Sequence, residues 1–238
     1  MVLGAALSCK FGAASGEIIA LGLIAPDSLE QFDTLRPRAY AVNGAGDSVA
    51  PAVVWTTLDT AALTVLNPAL GQTVVRHPGL VGRLEARVGS LVSNPHTITT
   101  LFAADTLRPA GPTLDSVLVP PQGPDSLSDS IKVQLLTDTA STRLASDSLV
   151  PLSGRPIVFT IVRVTVPGSV TLVRLDTAHA PGVSVDTAPT AALGIAVVKV
   201  RLLKGPVPDT VLVTATAQRA VRTAVPGSPD TFVVRFLP

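Results

Sequence analysis

Residues 209–217 read DTVLVTATA. Val211, Val213 and Ala215 alternate with Thr210, Leu212, Thr214 and Thr216, the period of two expected of a strand with one buried face. GRLEARVGS (82–90) repeats the pattern with charge, placing Leu84, Ala86 and Val88 on one face and Arg83, Glu85 and Arg87 on the other. That is one buried and one wet face. Between such runs stand 21 prolines and 18 glycines spread over 238 residues. They leave no room for an amphipathic helix of about ten residues or more. The chain is therefore expected to be all-β, with turn signals every 8–12 residues or so, as a sandwich requires.

Two units are expected. The first spans 17–103, with strands in EIIALGLIA, RPRAYAVN, AVVWTTL, ALTVLN, QTVVRH, GRLEARV and HTITTLF. AYAVNGAGDSVAPAVVW reads as two strands joined by a Gly-rich turn, with Asn43-Gly44 suited to positive φ. Trp55, the single tryptophan, falls on a central strand and is expected to anchor the first core. The Pro- and Gly-rich run AADTLRPAGP marks a linker, and the second unit, 104–238 with that linker, continues through SVLVP, DSIKVQLLT, RPIVFTIV, SVTLVRL, GIAVVKVRLL, DTVLVTATA and DTFVVRFL. Each unit is close to the roughly 100 residues of one Ig-size sandwich.

LRPRAYAVNGAGDSVAPAVVWTTLDTAALTVLN, followed by GLVGRLEARVGS, resembles a bacterial Ig-like domain of the group 2 kind. VPLSGRPIVFTIV, TAALGIAVVKVRL and DTVLVTATA resemble the invasin/intimin group of Ig-like domains. The resemblance implies two tandem Ig-like β-sandwiches of the extracellular sort, used as stalks, spacers or adhesive tips. It implies a protein or glycan surface ligand and brings no catalytic residues.

The N-terminal stretch 1–16 reads as a signal remnant and tether. Ala6-Leu7-Ser8-Cys9 resembles the lipobox of bacterial lipoproteins, with Ala6 where leucine is usual and no basic residue before the short apolar run. The resemblance implies diacylation of Cys9 and a lipid anchor in the membrane. Lys10 after the cysteine implies outer-membrane sorting in a Gram-negative envelope. Cys9 is the sole cysteine, so no intrachain disulfide can form. No run of about 18 apolar residues suggests a transmembrane helix.

Composition excludes several function classes. The net charge is +1, only 15% of residues are charged and 3% aromatic, so no nucleic-acid partner is expected. His77, His96 and His179 sit in turn-like contexts without zinc spacing, and no cofactor or metal is expected. No G-x-S-x-G elbow occurs, and GAGDS lacks the further glycine and following helix of a phosphate loop. Calcium sites favour D-x-D runs, of which there are none; Asp125 and Asp129 form the closest aspartate pair. Exposed aromatics would favour sugar binding, but Tyr40 and Trp55 are both expected to be buried. The alternative to a non-catalytic envelope protein is a carbohydrate- or protein-binding accessory module of a larger exported protein.

One pattern exceeds what a fold requires. All fourteen aspartates are followed by Ser or Thr, whereas composition predicts about 2.5 such pairs. In thirteen the next residue is Ala, Val, Leu or Ile: the hydroxyls are Ser28, Thr34, Ser48, Thr60, Thr106, Ser116, Ser126, Ser130, Thr139, Ser148, Thr177, Thr187 and Thr210. Turn chemistry before strands is one reading, in which these side chains bond nearby backbone amides. Yet the three asparagines and three glutamates show no such preference. The triplet also resembles the acceptor of a general O-glycosylation system of some Gram-negative envelopes, which implies sugar on these hydroxyls.

Overall fold

The computed structural model describes residues 16–119, 126–138, 149–174, 183–203, 206–220 and 222–237. Among them every regular element is a β-strand, and no helix is long and apolar enough to cross a membrane. The chain divides between Leu101 and Phe102 into two compact units, and the architecture is two tandem β-sandwiches.

The first unit opens with β1 (Ile18–Ile24), β2 (Ser28–Glu30), β3 (Thr34–Leu35), β4 (Arg38–Asn43) and β5 (Ser48–Val49). It continues through β6 (Val54–Thr57), β7 (Leu63–Asn67), β8 (Gln72–Val75), β9 (Val81–Val88), β10 (Leu91–Val92) and β11 (His96–Leu101). Strand β9 is the hub: β6, β10 and β11 all pair with it antiparallel, and β2 joins β11 in parallel. The other sheets run β1-β4-β5 and β3-β8-β7. The alternation read in GRLEARV holds: Leu84 and Ala86 are fully buried and Arg83 and Arg87 exposed. They join Leu29, Leu63, Ile98 and Trp55 in one apolar cluster, with Trp55 only 4% exposed. Gly82 lies beside this cluster because a Cβ there would stand 2.6 Å from Leu63 Cγ.

The second unit begins with β12 (Thr106–Pro109), β13 (Leu114–Leu118), β14 (Ile131–Asp138), β15 (Leu149–Pro151) and β16 (Pro156–Val164). Its later strands are β17 (Val170–Val173), β18 (Val185–Pro189), β19 (Ile195–Leu202), β20 (Thr210–Ala217) and β21 (Asp230–Leu237). One sheet runs β12-β14-β19-β17, with β15 also on β14, and the other runs β13-β21-β20-β16-β18. Both contribute to a single core. Val211, Val213 and Ala215 of β20 meet Phe159 of β16, Phe232 and Phe236 of β21, and Val133 and Val198 of the other sheet. With few aromatics available, this core is filled mainly by Val, Ala and Leu, each aliphatic side chain as large as Val worth about 1.5–3 kcal/mol when fully buried.

Three local expectations change. The presumed linker is not one: Ala103 and Ala104 are fully buried, and Thr106–Pro109 pairs antiparallel with β14. The partner of β4 in the Gly-rich hairpin is β5, whereas β6 pairs with β9. In that hairpin the positive φ falls on Gly46, not Gly44, and Asn43 acts through its side chain, its Oδ1 accepting from Ala45 N and Asp47 N.

Candidate functional site

The Asp-Ser/Thr pairs are distributed over both units, and the two residues of a pair do different work. Five of the hydroxyl residues, Ser28, Thr34, Ser48, Thr106 and Thr210, are the first residue of a strand. Ser130 immediately precedes β14, Thr60 lies in the turn before β7, Ser126 precedes an isolated bridge at Leu127, and Ser116 and Thr187 lie within β13 and β18. Cys9, Thr139, Ser148, Thr177 and His179 lie outside the described residues.

The aspartates reach across the fold. Asp59 Oδ2 accepts from Arg83 N at 2.9 Å and Arg83 Nε at 2.8 Å, while Oδ1 accepts from Nη2 at 3.0 Å. This bidentate grip by the guanidinium holds the Asp59 carboxyl below the usual carboxylate range. Asp105 Oδ2 accepts from Asp138 N and its Oδ1 from Arg219 Nη2, both at 2.9 Å. Asp115 Oδ2 accepts from Asp129 N at 2.8 Å, and Arg174 grips Asp186 in a fork. At Asp59, Asp105 and Asp115 the backbone amide bound is 24, 33 and 14 residues away in sequence. These side-chain bonds are cross-strand ties, although the Asp59 backbone carbonyl also accepts from Ala62 N and Leu63 N in a local turn.

The hydroxyls behave in the opposite way. Ser28, Thr34, Ser48, Thr60, Thr106, Ser116, Ser126, Ser130, Thr187 and Thr210 are all exposed or partly exposed. None of them makes a side-chain hydrogen bond among the described residues. The buried Ser and Thr residues never follow an aspartate, and the hydroxyls of Thr73, Thr100, Ser128 and Thr190 are bonded, whereas that of buried Thr137 has no hydrogen-bond partner.

A second locus is a groove of about 280 Å³ in the first unit, lined by β1 from Ala20 to Leu23, Tyr40 of β4, and Asn94, Pro95 and His96. Tyr40, expected inside, is 51% exposed. It sits opposite Gly22 in the β1-β4 pairing, and a Cβ on Gly22 would collide with the tyrosine ring. The side chain therefore lies across the glycine backbone, where strand alternation alone would not place it. His96, read as a turn residue, is the first residue of β11; its Nε2 faces Pro26 O at 3.4 Å and Asp27 Oδ1 at 3.3 Å. Both neighbours are acceptors, so Nε2 is the ring nitrogen that donates here, and Nδ1 is turned away from them. Sequence reasoning missed this locus because the residue that opens it is an absent side chain, Gly22.

No group of three or more His, Cys, Asp or Glu gathers as a metal would need among the described residues. No family model and no curated protein sequence matches the chain. Solved structures similar to it include domains 4 and 5 of the S-layer protein SbsC, at 14% identity over 94% of this chain and 100% of that one, TM-score 0.31. The D00-D0 domain of intimin aligns at 14% identity over 92% of this chain and 100% of that one, TM-score 0.30. The FN1-FN3 domains of chicken CNTN1 align at 12% identity over 93% and 69%, TM-score 0.35. Likeness at this level assigns no function.

Proposed function

We propose that this chain is a non-catalytic surface module of a Gram-negative envelope, two tandem Ig-like sandwiches tethered at a diacylated Cys9 and glycosylated at Asp-Ser/Thr-aliphatic sites. It acts in adhesion or as a spacer. The reading rests on one observation: the described hydroxyls after aspartate are accessible and unbonded, while buried Ser and Thr lie elsewhere. The aspartate half of the pattern has a structural use at Asp59, Asp105, Asp115 and Asp186. Among the described residues the hydroxyl half has none, and a modifying enzyme is the reader we propose for it. Glycans at strand starts would add bulk and block pairing of sheet edges with neighbouring molecules.

The test is the intact mass of protein purified from its native host. A polypeptide starting at Cys9 with added diacylglycerol and discrete sugar increments supports the reading, and Thr60→Ala should then remove one glycan mass. An unmodified mass starting at Met1 rejects both anchor and glycans. Tyr40 and its groove favour a second reading, a carbohydrate-binding accessory module, whose ligand chemistry follows.

A further inference from the structure

We propose that the groove beside Tyr40 binds one pyranose ring of a neutral glycan. Three features of the groove define the ligand. The first is an aromatic surface fixed in place. The Tyr40 ring lies over Gly22, so ordering it on binding costs little, and half of the residue stays open to solvent. An aromatic face is electron-rich and suits the weakly positive C–H face of a sugar ring.

The second feature is a set of unused polar groups at the rim. The Asn94 side-chain amide makes no hydrogen bond among the described residues and offers both a donor and an acceptor. His96 turns Nε2 to Pro26 O and Asp27, which leaves Nδ1 for a ligand hydroxyl. Paired donors and acceptors around an aromatic platform match vicinal hydroxyls. An apolar peptide would leave them unsatisfied.

The third feature is size and charge. At about 280 Å³ the groove is just smaller than the roughly 300–1,000 Å³ of small-molecule sites, room for one ring of a longer chain. No Lys or Arg lines it, and Asp27 stands next to His96, so an anionic ligand would meet no cation and one carboxylate. This inference is independent of the anchor and the glycans of the chain itself.

The experiment is an amide chemical-shift titration of the whole unmodified chain, made recombinantly, with cellohexaose, mannohexaose and chitohexaose each taken to about 10 mM. At least one sugar is expected to shift Gly22, Tyr40, Asn94 and His96 saturably, with a Kd of about 0.1–10 mM for a single-ring site. Tyr40→Ala should weaken it about tenfold or more, Asn94→Ala about threefold to tenfold, and Tyr40→Phe about threefold at most. Asn94 bonds to nothing through its side chain, so that variant keeps the fold and guards against misreading a misfolded Tyr40→Ala. Absence of saturable shifts with all three sugars overturns the proposal. So do shifts that survive Tyr40→Ala.

Discussion

The carboxylate of Asp105 ties two distant parts of the second sandwich: Oδ2 accepts from Asp138 N at 2.9 Å, at the end of β14, while Oδ1 accepts from Arg219 Nη2 at 2.9 Å. Near the other end of that strand, Asp115 Oδ2 holds Asp129 N at 2.8 Å. Both ends of β14 are thus pinned by aspartates that belong to Asp-Ser/Thr pairs. Two oxygens with two separate partners also explain why asparagine would not serve at position 105.

Removing that carboxylate takes from the Arg219 guanidinium, whose side chain is only 15% exposed, the oxygen it reaches at 2.9 Å, and takes from Asp138 N its acceptor. Asp105→Ala is expected to destabilise the second unit by about 2–4 kcal/mol. Asp105→Asn should lose roughly half as much, since one oxygen remains to accept. Thr106→Ala, which removes an unbonded hydroxyl, should stay within about 0.5 kcal/mol. Urea midpoints of unglycosylated protein measure all three. A large effect of Thr106→Ala would mean that the hydroxyl serves the fold after all.

Gly71 has φ +65°, and a Cβ there would lie 2.9 Å from Pro37 Cγ and from Trp55 Cδ1 and Nε1. Gly71→Ala combines a left-handed backbone with a clash against the core tryptophan, and should cost about 2–4 kcal/mol. Gly46, at φ +90° with nothing within 4 Å of a Cβ, isolates the backbone part; Gly46→Ala should cost about 1–2 kcal/mol. Trp55 is the chain's single tryptophan, so its fluorescence during urea unfolding reports the first unit directly.

The long strands were legible because each carries its own alternation. DTVLVTATA and GRLEARV needed only the period of two to give their buried faces, and Trp55 followed from its place on AVVWTTL. The short strands were not. Ser28–Glu30, Thr34–Leu35 and Leu91–Val92 are too brief to show a period and exist because a partner strand is adjacent. Thr106–Pro109 was masked by its proline, which sits at the end of an edge strand where a missing amide is tolerated. The Tyr40 groove was illegible for a related reason. Alternation puts a side chain on a face but does not say that a glycine across the ladder leaves the space an aromatic ring occupies. The aspartate pattern was fully visible, but its cross-strand partners were not, since sequence spacing carries no record of contacts 24 or 33 residues apart.

Two aspartates of the second unit should pull stability in opposite directions as acid is added. The Arg174 guanidinium, in a fork at 2.7 and 2.9 Å, holds the Asp186 carboxyl below its ordinary value of 3.8. Its contribution is complete above the unfolded value and is lost as pH falls through the lower folded one. Asp230 differs: its Oδ2 is buried without a hydrogen-bond partner, and burial raises that carboxyl above 3.8. Between the unfolded value and the raised folded one the native state holds the extra proton, so stability falls as pH rises through that window. Asp230→Asn should therefore be more stable than the parent at pH 7, and its advantage should shrink as pH falls through the folded value and vanish below the unfolded value of 3.8. Asp186→Asn should be less stable at pH 7 and should flatten the acid limb below about pH 4. Urea midpoints measured from pH 7 to pH 2.5 give both comparisons. Parallel pH curves for Asp230→Asn and the parent would show that the buried oxygen carries no charge penalty.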